Sequence, residues 1–139
     1  MTTPAQPETY LALDVSKSRI GFAVNVGRLV FGRGSLDRTK HARDLKAVLA
    51  KVREVGAGSV VLGLPLRTDG KSSPVAARVR SFGYDLMKEG LTVHYQDERF
   101  TTRRARDAGA ADVDEAAAVE ILQLFLQGLE SSAHSEPHE

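Results

Sequence analysis

An uninterrupted apolar run over residues 59–64, Ser-Val-Val-Leu-Gly-Leu, restricts the possible folds of this chain more than any other feature. A strand in which apolar and polar residues alternate has one solvent-exposed face, whereas a strand that is apolar throughout is typical of a sheet covered on both faces. Segments with the 3.6-residue spacing of amphipathic helices lie on both sides of the run, over residues 40–55 and 74–88. The run therefore predicts a central strand in an α/β domain.

The other elements follow from their hydrophobic periodicity and from turn residues. Three antiparallel strands are predicted over residues 10–14, 20–26 and 29–36, with a turn at Asn25-Val26-Gly27, and a fifth strand over 91–96. Helices over 101–108 and 113–128 end the domain. The order β-β-β-α-β-α-β-α-α predicts a mixed five-stranded sheet, a three-strand antiparallel meander plus parallel strands, with helices on both faces.

Length and composition limit the class of protein. The 139 residues are most simply one domain over 10–129, with disordered tails at 1–9 and 130–139. No apolar run approaches the roughly 20 residues that span a bilayer, and the N-terminal segment does not resemble a secretory signal. The sequence contains no cysteine, which excludes disulfides, thiolate metal sites and a Cys nucleophile. We expect a cytoplasmic protein with no membrane partner.

The net charge of +1 conceals a strong asymmetry along the chain. Residues 15–53 hold ten Lys and Arg against two acids, and residues 99–106 hold four Arg and no acid. Residues 107–139 hold eight acids and no Lys or Arg. This distribution predicts a polyanionic partner, namely nucleic acid. The alternative is that these cations lie on ordinary solvated helix faces.

Acidic residues occur where three predicted elements end or begin. Asp14 ends the first strand, Asp97 and Glu98 end the fifth, and Asp112 and Asp114 precede the last helix. Carboxylates that converge at one sheet edge without basic partners usually hold a divalent metal, because their repulsion is otherwise costly. Two metals about 3.5–4 Å apart are a common apparatus for phosphodiester cleavage.

Each of these acids also has a purely structural interpretation. Asp14 can be a turn residue, and Glu98 can complement the dipole of a following helix that Asp97 caps. Asp112 with Glu115 has the spacing of a capping box, which favours a cap over a ligand at Asp112.

Four segments of the chain carry recognisable motifs: 13–23 resembles D-x-G-x-K-R-I-G-x-A, 61–70 resembles V-G-L-P…D-G, 97–102 resembles D-E-R-L-T-T, and 114–123 resembles D-x-x-A-A-x-x-I-L-Q. Together they resemble the YqgF/RuvX family of Holliday-junction resolvases, which have a ribonuclease H fold. The match covers about residues 11–126. Ser16, Ser18 and Phe100 depart from the pattern, and Ser16 would be strained if its turn required positive φ.

The resemblance implies that Asp14, Glu98 and Asp114 are catalytic ligands of Mg²⁺ or Mn²⁺ in an endonuclease. The implied substrate is branched DNA of the Holliday-junction type, or alternatively precursor ribosomal RNA, and four-way junction cutting implies a homodimer. Cations near the acids or in the 65–73 loop are expected to contact phosphates; they are Lys17, Arg19, Arg67, Lys71, Arg99 and Arg103. Arg19 and Arg99 can equally clamp a carboxylate.

Two other classes of function remain as alternatives. A nucleic-acid-binding module without catalysis would use the same basic surface, although retention of all three acids argues against it. A sugar-kinase-like ATPase begins with a similar first motif, but that machinery needs two such domains around a nucleotide cleft.

Overall fold

The computed structural model describes residues 7–67, 69–71, 73–98 and 112–135. Within these ranges every strand and helix predicted from the sequence is present, and the predicted helix over 101–108 lies outside them. The elements in chain order are β1 (Tyr10–Val15), β2 (Arg19–Val26), β3 (Leu29–Asp37), α1 (His41–Val55), β4 (Ser59–Leu64), α2 (Pro74–Lys88), β5 (Thr92–Asp97) and α3 (Val113–Ser135).

The five strands form one mixed sheet in the order β3-β2-β1-β4-β5. β1, β2 and β3 pair antiparallel, whereas β4 lies parallel to both β1 and β5. All six residues of β4 are buried, as the apolar run predicts. The predicted sheet, with its three-strand meander and parallel additions, is confirmed.

Helices cover both faces of this sheet, and each face has its own core. Leu11 and Leu13 of β1 belong to a cluster that includes α1 and α2, while Tyr10 and Ala12 belong to a cluster that includes α3. The alternation follows from the two-residue period of a strand. Asp14, the next residue in this alternation, therefore lies on the α3 face.

The start of α1 is fixed by a buried carboxylate rather than by its N-cap residue. Lys40 makes no side-chain cap, but Asp44, only 1% exposed, accepts hydrogen bonds from the Thr39 amide and from Arg38 Nε, both at 3.0 Å. Arg38 also donates to the carbonyl of Ser16 at 3.0 Å. The beginning of α1 is thereby tied to the β1–β2 turn, next to Asp14.

The last helix extends beyond its predicted end. α3 was expected to stop at Gly128, but it continues to Ser135, so residues 130–135 of the predicted tail are helical. Gly128 is absent from the positive-φ glycines among the described residues, and a helical glycine costs only about 1 kcal/mol relative to alanine. Glu130, on this extension of the helix, forms an ion pair with Arg28 at 2.7 Å. None of the described helices is long and apolar enough to cross a membrane.

Candidate active site

Asp14 lies in the interior of the sheet, at the second-last position of β1. It pairs with Gly21 of β2 and is 8% exposed. Because Leu13 pairs with Leu62, the next residue of β4, Gly63, lies on the other side of Asp14. Gly21, Asp14 and Gly63 therefore form one row across three strands, on the α3 face, with about 4.8 Å between neighbouring strands. We call these three residues the site row.

Glu98 lies over the Gly63 end of the site row. Its amide donates to the carbonyl of Leu64 at 3.0 Å, which fixes the chain directly after β5. A Cβ atom on Gly63 would lie 2.6 Å from Glu98 Oε2 and would overlap the side chain of Ile121. Because Gly63 has no side chain, the Glu98 carboxylate can lie directly against β4, next to Asp14. A glycine inside a strand often marks such a close approach.

Asp114 lies over the Gly21 end of the site row. A Cβ atom on Gly21 would overlap the backbone carbonyl of Asp114, so the first turn of α3 rests directly on β2. The side chain of Asp114 is directed to Arg19, whose Nε lies 3.1 Å from Asp114 Oδ2. The structure therefore brings Asp14, Glu98 and the backbone of Asp114 to one row.

Arg19 is held by three partners on two elements. Besides Asp114, its guanidinium contacts Asp37 at 2.7 Å and donates to the hydroxyl of Ser35. Ser35 in turn donates to Asp112 Oδ2 at 2.8 Å. Of the two interpretations of Arg19, the structure shows the carboxylate clamp. Among the residues that the structure describes, no group of three or more His, Asp or Glu side chains is arranged to hold a metal ion.

Asp112 caps α3, as the capping-box spacing predicts. Its Oδ1 accepts a hydrogen bond from the Glu115 amide at 2.9 Å. Burial would raise the pKa of Asp112, but hydrogen bonds from the Glu115 amide and the Ser35 hydroxyl, with the charge of Arg19, outweigh burial and lower it. The Asp112 carboxylate therefore serves as the N-terminal cap of α3.

Glu115 has a different role from the one that its spacing predicts. Instead of folding back on Asp112, its carboxylate crosses to β3 and accepts from the Gly34 amide at 2.5 Å. The register of β2 and β3 shifts at this point and Gly34 has a φ of 79°, which is consistent with a β-bulge in β3. Glu115 thus joins α3 to β3 beside the site row. Its capping-box spacing did not predict this contact, for which the glycines of β3 were the available signal.

The other predicted phosphate contacts lie near the C-terminal edge of β1 and β4. Lys17 is exposed in the turn after β1, and Ser16 in the same turn has no positive φ, so its departure from the family's glycine is not strained. Arg67 and Lys71 are exposed in the loop after β4, where Arg67 pairs with Asp69 at 3.1 Å. Arg99 and Arg103 lie outside the described residues.

Solved structures with the same fold confirm its class. Thermus thermophilus RuvC in complex with a Holliday junction aligns with a TM-score of 0.59 at 11% identity, covering 90% of this chain and 96% of that one. The Fowlpox virus resolvase in complex with its junction gives a TM-score of 0.54 at 11% identity, covering 87% and 98%. At these identities the likeness shows the fold, and the fold defines an α/β protein of the ribonuclease H-like class.

The family is shown by sequence. A protein-family model described as "RuvX: Holliday junction resolvase" matches residues 8–128 of this chain, so the chain belongs to this family. A ribonuclease YqgF from Deinococcus radiodurans is 70% identical over 123 residues, with 88% of this chain and 90% of that protein covered. A Thermus thermophilus protein named for pre-16S rRNA nuclease activity is 42% identical, with 83% and 94% covered.

Proposed function

We propose that this protein is a metal-dependent endonuclease that hydrolyses phosphodiester bonds in structured nucleic acid, with precursor ribosomal RNA as its substrate. The observation that carries the proposal is the site row, where a buried aspartate lies beside the glycine that accommodates Glu98. The choice of RNA is supported by the names of the relatives at 70% and 42% identity.

The donor set fits a hard divalent cation. Asp14 and Glu98 offer carboxylate oxygens on one row, and oxygen donors suit Mg²⁺ or Mn²⁺. Asp114, whose carboxylate contacts Arg19 in this structure, would be the third residue to hold the metal. When bound, the metal supplies an activated water and neutralises charge on the phosphate.

The protein's own residues prepare this site. Asp14 is held by burial in the sheet, and Glu98 is held by its backbone bond to Leu64. Lys17, Arg67 and Lys71 follow parallel strands, so they lie at the sheet edge at which the acids converge. They bind the phosphates on either side of the cleaved bond and fix the position of the backbone.

Branched DNA is the second candidate substrate. It is supported by the description of the matching family and by the fold shared with resolvases that were solved on junctions. Symmetric cutting of a four-way junction needs two active sites, so this activity requires a homodimer.

A substrate panel tests the proposal. Labelled structured RNA, single-stranded RNA, duplex DNA and a four-way junction are incubated with Mg²⁺, with Mn²⁺ and with chelator. We expect cleavage of structured RNA that chelator abolishes. Preferential cutting of the junction would select the second candidate, and tight binding without cleavage under every condition would contradict nuclease activity and identify a binding module.

A further inference from the structure

The two faces of the sheet carry opposite charge. α3 covers one face and contains four acids and no Lys or Arg. α1 and α2 cover the other face and contain seven Lys and Arg against three acids, Asp44, Glu54 and Asp85. Each of these three acids is already in an ion pair with a basic side chain. A polyanion is therefore attracted more strongly to the α1–α2 layer than to α3.

Within this layer, the outer side of α1 concentrates the charge. Four cations, Lys40 at the N-cap and Arg43, Lys46 and Arg53 in the helix, are exposed and point away from the buried side. At 3.6 residues per turn they fall within roughly 140° of the circumference. None of the four forms an ion pair with another described residue. We call these four residues the α1 basic face.

The chemistry of the α1 basic face fits a phosphate backbone better than a protein partner. The large apolar side chains that are exposed elsewhere in the described chain are absent from α1, whereas the core of a protein interface is apolar. The row from Lys40 to Arg53 extends about 20 Å along the helix, roughly the length of six base pairs of duplex.

We infer that the α1 basic face is a second nucleic-acid-binding surface, on the opposite side of the sheet from the site row. This inference rests on the proposed function and adds a requirement for substrate length. A short substrate occupies only the sheet edge, whereas a long one continues past the edge and reaches α1. The surface therefore raises the affinity for long substrates and leaves the rate of the chemical step unchanged.

The test compares two double variants that each remove two positive charges. Arg43→Gln with Lys46→Gln neutralises the α1 basic face. Arg28→Gln with Arg33→Gln is the matched control, because both arginines are engaged with Glu130 and Glu54. Binding is measured by fluorescence anisotropy in chelator, on RNA and DNA hairpins of about 8 and about 30 base pairs, as a function of salt.

On the long hairpins we expect the α1 variant to bind about fivefold or more weakly, with its log–log salt slope reduced by about 1.8. Its affinity for the short hairpins, and that of the control for all hairpins, should stay within twofold of wild type. Loss of affinity for either the long RNA or the long DNA hairpin supports the second surface, and shows which of the two nucleic acids it binds. An unchanged salt slope on both, or an equal loss on the short hairpins, would overturn the inference.

Failure of this inference can be distinguished from failure of the proposed nuclease function. Wild-type cleavage of the short RNA hairpin with Mn²⁺ depends on the site row alone. If the wild type cuts it and the α1 variant keeps full affinity for the long hairpins, only the second surface is wrong. Matching thermal melting of the wild type and both variants shows that the comparison is between folded proteins.

Discussion

The guanidinium of Arg19 lies 3.1 Å from the carboxylate of Asp114, which joins the start of β2 to the first turn of α3. This contact holds in place, and at the same time occupies, the acid that the proposed mechanism needs as a third metal ligand. We therefore propose that Arg19 is a positioning residue, with a contribution distinct from that of a phosphate contact.

The first prediction separates Arg19 from its neighbour Lys17. Arg19→Gln should release the Asp114 carboxylate and tighten Mn²⁺ binding several-fold, while the affinity for nucleic acid in chelator stays within twofold. Lys17→Gln should weaken the affinity for nucleic acid and leave Mn²⁺ binding unchanged, because Lys17 is exposed and is proposed to contact phosphates. Calorimetric titration with Mn²⁺ and a salt series of nucleic-acid binding check both. If Arg19→Gln loses as much nucleic-acid affinity as Lys17→Gln, Arg19 is a phosphate ligand after all.

The second prediction concerns the two aspartates at the start of α3. Asp112→Ala removes the cap that accepts from Glu115 and should cost about 0.5–2 kcal/mol of unfolding free energy, with activity retained. Asp114→Ala loses only a partly exposed ion pair, so its metal-free stability should change little. Its activity should fall by orders of magnitude.

Urea unfolding without metal and turnover with Mn²⁺ distinguish the two roles. An inactive but stable Asp112→Ala beside an active Asp114→Ala would show that the third ligand is two residues away from the position proposed here.

The third prediction tests the close approach of the Glu98 carboxylate to Gly63 of β4. Gly63→Ala places a Cβ atom 2.6 Å from Glu98 Oε2, so the carboxylate must move away from Asp14. We expect activity to collapse and stability to fall by about 1–3 kcal/mol, the usual cost of overpacking. Gly128→Ala is the control, because nothing lies within 4 Å of the added atom, and it should stabilise the helix by about 0.5–1 kcal/mol. Full activity of the Gly63→Ala variant would show that the position of Glu98 does not matter for cleavage.

The fourth prediction is a pH dependence of stability. Burial would raise the pKa of Asp44, but hydrogen bonds from the Thr39 amide and from Arg38 outweigh it, so the pKa lies below its ordinary value of 3.8. The folded state then binds this proton more weakly than the unfolded chain. Asp44 therefore stabilises the fold above pH 3.8, and this contribution is lost as the pH falls through the folded pKa.

Asp44→Asn should cost about 1.5–3 kcal/mol at neutral pH, and its deficit relative to wild type should shrink as the pH falls below 3.8. Urea unfolding of both proteins over the acid range measures that difference. A deficit that stays constant with pH would show that the lost stability comes from packing rather than from the charge.

Periodicity was sufficient to predict the sheet, because apolar spacing records which faces are buried. The predicted end of α3 at residue 128 is wrong, because the backbone of Gly128 is not left-handed and the helix continues through it to Ser135. The acids were recognised by their places at strand ends, but the direction of each side chain is set by tertiary neighbours. Sequence adjacency left Arg19 open between phosphate and carboxylate, and its carboxylate contacts depend on the approach of Ser35 and Asp37 on β3. The same holds for Glu115, whose partner is 81 residues away.

The most direct test of the account is turnover by Asp14→Asn on structured RNA with Mn²⁺ near its working concentration. The substitution removes a buried carboxylate of the site row with almost no change of shape, so the protein should fold and bind RNA within a few-fold of wild type. Asp85→Asn, on α2 and on the other face of the sheet from the site row, is the matched control and should cleave normally. The account predicts that Asp14→Asn loses at least about a hundredfold in cleavage and loses Mn²⁺ binding in a direct titration. Wild-type cleavage by folded Asp14→Asn would contradict it.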